Sequence, residues 1–238
     1  MADAVVLNVN DLIAGYGKKT VVDRVSLTVA KGEVVAVIGH NGSGKSTLLK
    51  AICGLVSKRE GRCDIEGEQS GLLLHPESMA RKRIVFVPQK HGVFQNLTVD
   101  ENLEIAGGAL SDRRAVEDWR ARLFATFPSL QAKRKQRAAT MSGGEKQMLA
   151  LARIFLSSQK LWLLDEPTLG LAPSHVTRVL DRIRDCAYRE DGAVLIVEQR
   201  VRDVLRIADR VYVLRRGRVS FSGFAGDVDD RVLRNVYI

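Results

Sequence analysis

The sequence predicts an α/β fold: a mainly parallel sheet with helices on both faces, an antiparallel β region near the start, and an inserted helical region in the middle. Three observations predict it. Short runs rich in apolar residues recur at Val34 to Ile38, Arg83 to Val87, Leu161 to Leu164 and Ala193 to Val197, and unbroken runs of this kind suit strands covered on both faces. Helical stretches separate them, as in a doubly wound core. A different pattern near the start, polar and apolar in alternation, marks strands with one face on the core.

Taken in order, residues 4–9 and 22–29 read as strands. Val25, Leu27 and Val29 alternate with Ser26 and Thr28, the period of a half-buried antiparallel strand. Lys31-Gly32 then turns the chain into the first buried run. From about Gln89 to Ser158 no strong strand run occurs, and Ser111 to Phe127 carries helical charge patterning. This middle is the helical insertion, which leaves residues 1–88 and 159–238 as the core of a single domain. Val211 to Leu214, Arg215 to Arg218 with its Gly217, and Val219 to Phe221 read as a closing hairpin. There is no internal repeat and no low-complexity segment.

The 238 residues are enough to bury a substantial core. No apolar run is long enough to span a bilayer. Met1 to Gly15 shows no basic region followed by an apolar block, so no secretory signal is expected. Cys53, Cys63 and Cys186 are odd in number and show no C-x-x-C spacing, which points to reduced thiols rather than a metal cluster. The net charge of +9 is dispersed over Arg81-Lys82-Arg83, Lys133-Arg134-Lys135 with Arg137, and Arg215-Arg216 with Arg218. Without interleaved aromatics this is no nucleic-acid footprint. Solvated surface charge is the simple reading, and attraction to an anionic membrane face the alternative.

Gly39, His40, Asn41, Gly42, Ser43, Gly44, Lys45 and Ser46 fit G-x-x-x-x-G-K-[ST], between a buried strand and a helical run from Thr47 to Cys53. Glycines let backbone N–H groups close around phosphates, and the helix N-terminus adds positive potential. Lys45 supplies a point charge for the β/γ-phosphates and the Ser46 hydroxyl a ligand for Mg²⁺. By chance this string arises on the order of once in a hundred chains of this length. The core is therefore a P-loop NTPase core, and a nucleotide with Mg²⁺ the expected pair, seated on Gly39 through Thr47.

Such a site needs an acid at the end of a neighbouring strand. Leu161 to Leu164 runs directly into Asp165 and Glu166; Asp165 would help hold Mg²⁺ and Glu166 would polarise the attacking water. Ser142-Gly143-Gly144-Glu145 has the spacing of a capping box, but a cap does not require two glycines. Bare backbone at a helix start is a second anion cradle. One nucleotide does not need two, so this one is expected to serve a nucleotide held by another copy.

With these motifs in this order, the chain resembles the ATPases of ATP-binding cassette (ABC) transporters over essentially its whole length. Met141 to Glu145 is similar to the family's signature sequence, with Met and Glu for the usual Leu and Gln. The resemblance implies that Gln89, after Val87-Pro88, touches Mg²⁺ and faces a transmembrane partner, and that Tyr16 stacks on adenine. Two positions depart from the common pattern: Ala172 stands for the usual Asp, and Gln199 for the usual His at the γ-phosphate. An amide donates a hydrogen bond there but does not carry a proton's charge. Both departures resemble the subunits that power uptake of branched-chain amino acids, or their urea and short-amide relatives. Phe127 to Leu130, Gln136 to Gly144 and Leu97 to Leu103 are similar to that subfamily too, although some members carry Glu at Gln89.

The resemblance implies an ATP-hydrolysing subunit at the cytoplasmic face of the cell membrane. Its partners would be transmembrane permease subunits, a second ATPase subunit (identical or related) and, indirectly, a periplasmic or extracellular solute-binding protein. The alternatives are a soluble cassette acting on DNA or the ribosome and a non-catalytic regulatory cassette. The absence of a coiled coil and of zinc-spaced cysteines weighs against the first, and Lys45, Asp165 and Glu166 weigh against the second.

Overall fold

The computed structural model describes residues 4–67, 76–89, 93–107, 113–155, 159–189 and 191–237. Strands β1 (Val5–Tyr16) and β2 (Lys19–Ala30) lead to β3 (Val34–Ile38), followed by α1 (Lys45–Ile52), β4 (Lys58–Ile65), α2 (Pro76–Arg81) and β5 (Ile84–Val87). Helices α3 (Val99–Gly107), α4 (Arg113–Thr126), α5 (Pro128–Ala132) and α6 (Gly143–Ile154) come next. The remainder runs β6 (Leu161–Asp165), α7 (Pro173–Tyr188), β7 (Ala193–Glu198), α8 (Val201–Leu205), β8 (Arg210–Arg215), β9 (Arg218–Phe224) and α9 (Asp230–Tyr237).

Two sheets result. One is antiparallel, in the order β2-β1-β4; the other has the order β5-β6-β7-β3-β8-β9, parallel through β8 with β9 antiparallel at its edge. Every residue of β3, β6 and β7 is buried, which is why those segments read as unbroken apolar runs. Val35, Val37, Leu163, Leu195 and Val197 share one core with Leu48, Leu49 and Ile52 of α1 and with Leu7, Val9, Val25 and Leu27 of the antiparallel sheet. Each such side chain is worth about 1.5–3 kcal/mol on burial.

Two strand expectations need correction. β1 and β2 reach well beyond residues 4–9 and 22–29, because register shifts near Leu12 and a left-handed Asp11 break the alternation where β1 continues. β4 was not foreseen at all. Its Lys-Arg-Glu-Gly-Arg opening carries no strand signal, and pairing to β1 alone makes it a strand.

The chain forms two compact units. The first holds Met1–Pro88, Gln159–Glu166 and Ile183–Ile238; the second holds Gln89–Ser158 together with Pro167–Arg182. Residues 167–182 were expected in the core and instead cluster with the helices. The buried Gln147 Nε2 donates to the Pro167 carbonyl at 2.9 Å, and the Arg182 guanidinium lies 5.4 Å over the Phe155 ring. Ser111 and Ser158, which bounded parts of the predicted helical region, lie outside the described residues. Among the described residues no helix is long and apolar enough to cross a membrane.

Candidate functional site

The glycine-rich loop lies in the first unit, between β3 and α1. A Cβ on Gly39 would sit 2.3 Å from the Leu214 carbonyl oxygen, and one on Gly44, at φ +109°, would stand 3.0 Å from that of Val21. Only glycine lets the backbone close this tightly. The turn between β8 and β9 braces the loop: the Gly217 N–H donates to the Ser43 carbonyl at 2.9 Å, and the Gly217 carbonyl accepts from the Asp23 N–H at 2.8 Å. Arg218 pairs with Asp23 at 2.6 Å beside it.

Lys45 is 4% exposed, and its Nζ donates to the carbonyls of Gly39 at 2.8 Å and His40 at 3.1 Å. The loop thus curls around its own ammonium. Burial pushes the Lys45 pKa down, while Glu166, Asp165 and Glu198 pull it back up. The Ser43 hydroxyl oxygen is buried and makes no hydrogen bond. A buried polar atom of this kind calls for a partner, and a phosphate oxygen in the loop would supply one. His40 and Asn41 form the outer bend, with the His40 Nδ1 2.6 Å from the Asn41 carbonyl oxygen. Ser46 and the buried Thr47 lie in the first turn of α1, where unpaired backbone N–H groups favour anions.

The Ser46 hydroxyl donates to Asp165 Oδ1 at 2.9 Å, joining the start of α1 to the end of β6. A hydroxyl beside a carboxylate is the hard-oxygen donor set that Mg²⁺ takes alongside phosphate oxygens and water, so these residues fit that ion. Burial raises the pKa of Asp165; the Ser46 hydrogen bond lowers it and the neighbouring Glu166 adds to the rise.

Glu166 is buried and left-handed, at φ 48°. For a non-glycine residue that conformation costs roughly 1–2 kcal/mol, and the bond from the Glu166 N–H to the Val197 carbonyl at 2.9 Å helps to hold it. Gln199 Nε2 donates to Glu166 Oε1 at 2.5 Å. The amide expected at a γ-phosphate therefore rests on the carboxylate expected to activate water. Glu198 was not singled out from the sequence. It is 2% exposed, and its Oε2 accepts the Gln199 N–H at 3.1 Å. Its signal was the one that found Asp165, an acid ending an apolar strand.

Tyr16, at the end of β1 and paired with Lys19, is 48% exposed, leaving a ring that a flat base can cover. The loop, Asp165, Glu166, Gln199 and Tyr16 all belong to the first unit, whereas Gln89 and Ser142 to Gly144 belong to the second. There the Ser142 hydroxyl accepts from the Glu145 N–H at 3.3 Å and Glu145 Oε2 accepts from the Ser142 N–H at 2.9 Å, the capping box read from the spacing. A Cβ on Gly143 would meet nothing within 4 Å, while one on Gly144 would approach the Gly170 carbonyl oxygen at 3.0 Å. The helix start is thus open on one side and close-packed on the other.

The profile of the ABC transporter family matches residues 22–169. A high-affinity branched-chain amino acid transport ATP-binding protein, BraG of Pseudomonas aeruginosa, is 44% identical over 86% of each chain. A probable branched-chain amino acid transport ATP-binding protein, LivF of Archaeoglobus fulgidus, is 39% identical over 91% of each. Among solved structures, an ATP-binding subunit of an ABC transporter superposes with a TM-score of 0.82 at 29% identity, covering 97% of this chain and 94% of that one.

Proposed function

Because the chain belongs to the ABC transporter family and is an ATPase of that family, which works with membrane permease subunits, we propose that it powers the uptake of branched-chain amino acids. The hydrogen bond between Ser46 and Asp165, beside a loop closed on Lys45, carries the hydrolytic half of this reading. The names of the two relatives support the substrate.

In this reading Lys45 exchanges the carbonyls of Gly39 and His40 for β/γ-phosphate oxygens. The backbone N–H groups of His40 through Thr47 and the Ser43 hydroxyl surround the rest, and Tyr16 stacks on the adenine. Ser46 and Asp165 would hold Mg²⁺, which when bound would draw charge from the phosphate oxygens. Glu166 accepts a proton from the attacking water, with Gln199 fixing its carboxylate. Ser142, Gly143 and Gly144 receive the γ-phosphate of a nucleotide on a second ATPase subunit. The chain sits peripherally on the cytoplasmic face, with permease subunits across the membrane and a solute-binding protein beyond them.

The test is to co-express the chain with its permease partners and reconstitute the complex in liposomes. Binding protein loaded with leucine, isoleucine or valine should stimulate Mg²⁺-dependent ATP hydrolysis and solute entry. Stimulation by urea or a short amide alone would assign the other substrate class.

A further inference from the structure

The basic run Lys133-Arg134-Lys135 reads from the sequence as solvated charge, yet two of its members have fixed partners. Arg134 pairs with Asp100 at 3.0 Å, and Lys133 Nζ donates to Glu145 Oε1 at 2.5 Å. Lys133 is the residue that ends α5, and α5 lies against α6, where the Ser129 hydroxyl stands 3.9 Å from Met148 Sδ. The cation therefore reaches the first turn of α6 from a neighbouring helix. Glu145 places a carboxylate at the helix start that is to receive a phosphate. Both its oxygens are engaged, Oε1 by Lys133 and Oε2 by the Ser142 N–H at 2.9 Å. These bonds, that of Lys133 first, hold its pKa below the usual glutamate range. The Ser142 hydroxyl accepts from the Glu145 N–H, which leaves its own hydrogen to donate. Without Lys133, the charge of Glu145 would repel an incoming phosphate.

We propose that Lys133 is a positioning residue for this helix start: its ammonium anchors and neutralises Glu145, so that Ser142, Gly143 and Gly144 stay open to a phosphate. The inference rests on the reading that these three receive the γ-phosphate of a nucleotide on a second ATPase subunit. Lys133 touches no nucleotide itself. It acts through Glu145, and its effect belongs to the joining of two chains, not to the binding of ATP by one.

Glu145→Gln removes the charge and keeps the capping box, which takes Gln as well as Glu. Phosphate release at saturating MgATP is measured over a range of chain concentrations for wild type, Lys133→Gln, Lys133→Arg, Glu145→Gln and the double variant combining Lys133→Gln with Glu145→Gln. Hydrolysis in this reading needs two chains, so the concentration giving half-maximal turnover per chain reports their joining. Lys133→Gln should raise it about three- to tenfold with a plateau near wild type, since each of two composite sites loses one partly exposed pair. Added salt should narrow that gap. Lys133→Arg should behave as wild type, and the double variant should return to the Glu145→Gln value. An unshifted concentration in Lys133→Gln overturns the proposal. So does a shift of the same size in the Glu145→Gln background, which a merely structural lysine would give. Ser142→Arg with wild-type behaviour would instead remove the receiving helix start itself.

Discussion

Replacing Glu166 by Gln tests the chemical centre with little change in shape. The side chain keeps its size, and its amide oxygen can still accept from Gln199 Nε2, which now donates to Glu166 Oε1 at 2.5 Å. What disappears is the ability to take a proton from water. A positioned general base is worth roughly 10²–10⁴ in rate, or about 2.7–5.4 kcal/mol in the barrier. Stability should move far less. A charge-assisted bond becomes a neutral one, a loss of about 1 kcal/mol, but the repulsion that Glu166 exerts on Asp165 is relieved at the same time. For a chain of this size such a difference shifts the melting temperature by about 2–4 °C at most. The assay is phosphate release at saturating MgATP, with the melting curve and ATP affinity measured on the same preparation. The expected result is ATP bound near wild-type strength and turnover reduced at least a hundredfold. Turnover within threefold of wild type, with the protein folded, would show that Glu166 is not the base.

Lys45→Ala removes the loop's buried cation and should weaken MgATP binding roughly ten- to a hundredfold, read by calorimetry. Gln199→His introduces a group that titrates near neutrality and should add a pH dependence to turnover between about 6 and 8 that wild type lacks, so superimposable pH–rate profiles would argue against the placement. Ser142→Arg loses a cap worth about 1 kcal/mol and should leave monomer ATP binding intact while abolishing ATP-driven dimerisation, followed by size exclusion. Gly192→Ala places a Cβ 2.3 Å from Trp162 Cζ3 and 2.8 Å from the Cys186 carbonyl, so denaturant unfolding should show a loss of about 1–3 kcal/mol.

The parts of the fold legible in the sequence were those whose burial is two-sided. β3, β6 and β7 are wholly buried and apolar but for the acids that end β6 and β7, so the strands stood out, and with them Asp165. β4 was illegible because a charged strand forms only where a partner supplies the hydrogen bonds. The allegiance of residues 167–182 was hidden for a similar reason. Contacts of Gln147 and Arg182 with distant chain positions decide it, and spacing does not record them. The brace on the phosphate loop is the clearest case. Gly217 reads as an ordinary hairpin glycine, and nothing nearby in the chain links it to Ser43, yet its N–H donates to the Ser43 carbonyl.

Several features of the site are individually unfavourable: a lysine 4% exposed, a serine hydroxyl buried without a partner, and a glutamate in the left-handed region. Each costs on the order of 1–3 kcal/mol, and they lie just past the end of β6, in the loop between β3 and α1, and at the first residue of α1. The arrangement is consistent physically, because only rigid, close-packed strands can hold such groups against relaxation. It also gives the strain a direction. Phosphate oxygens would satisfy the Ser43 hydroxyl and take over the Lys45 ammonium from the loop carbonyls, so nucleotide binding relieves what folding left unmet. Glu166 is different. Its backbone strain lies at the strand end, beside its hydrogen bond to the Val197 carbonyl, so on the proposed reading it would persist when nucleotide binds.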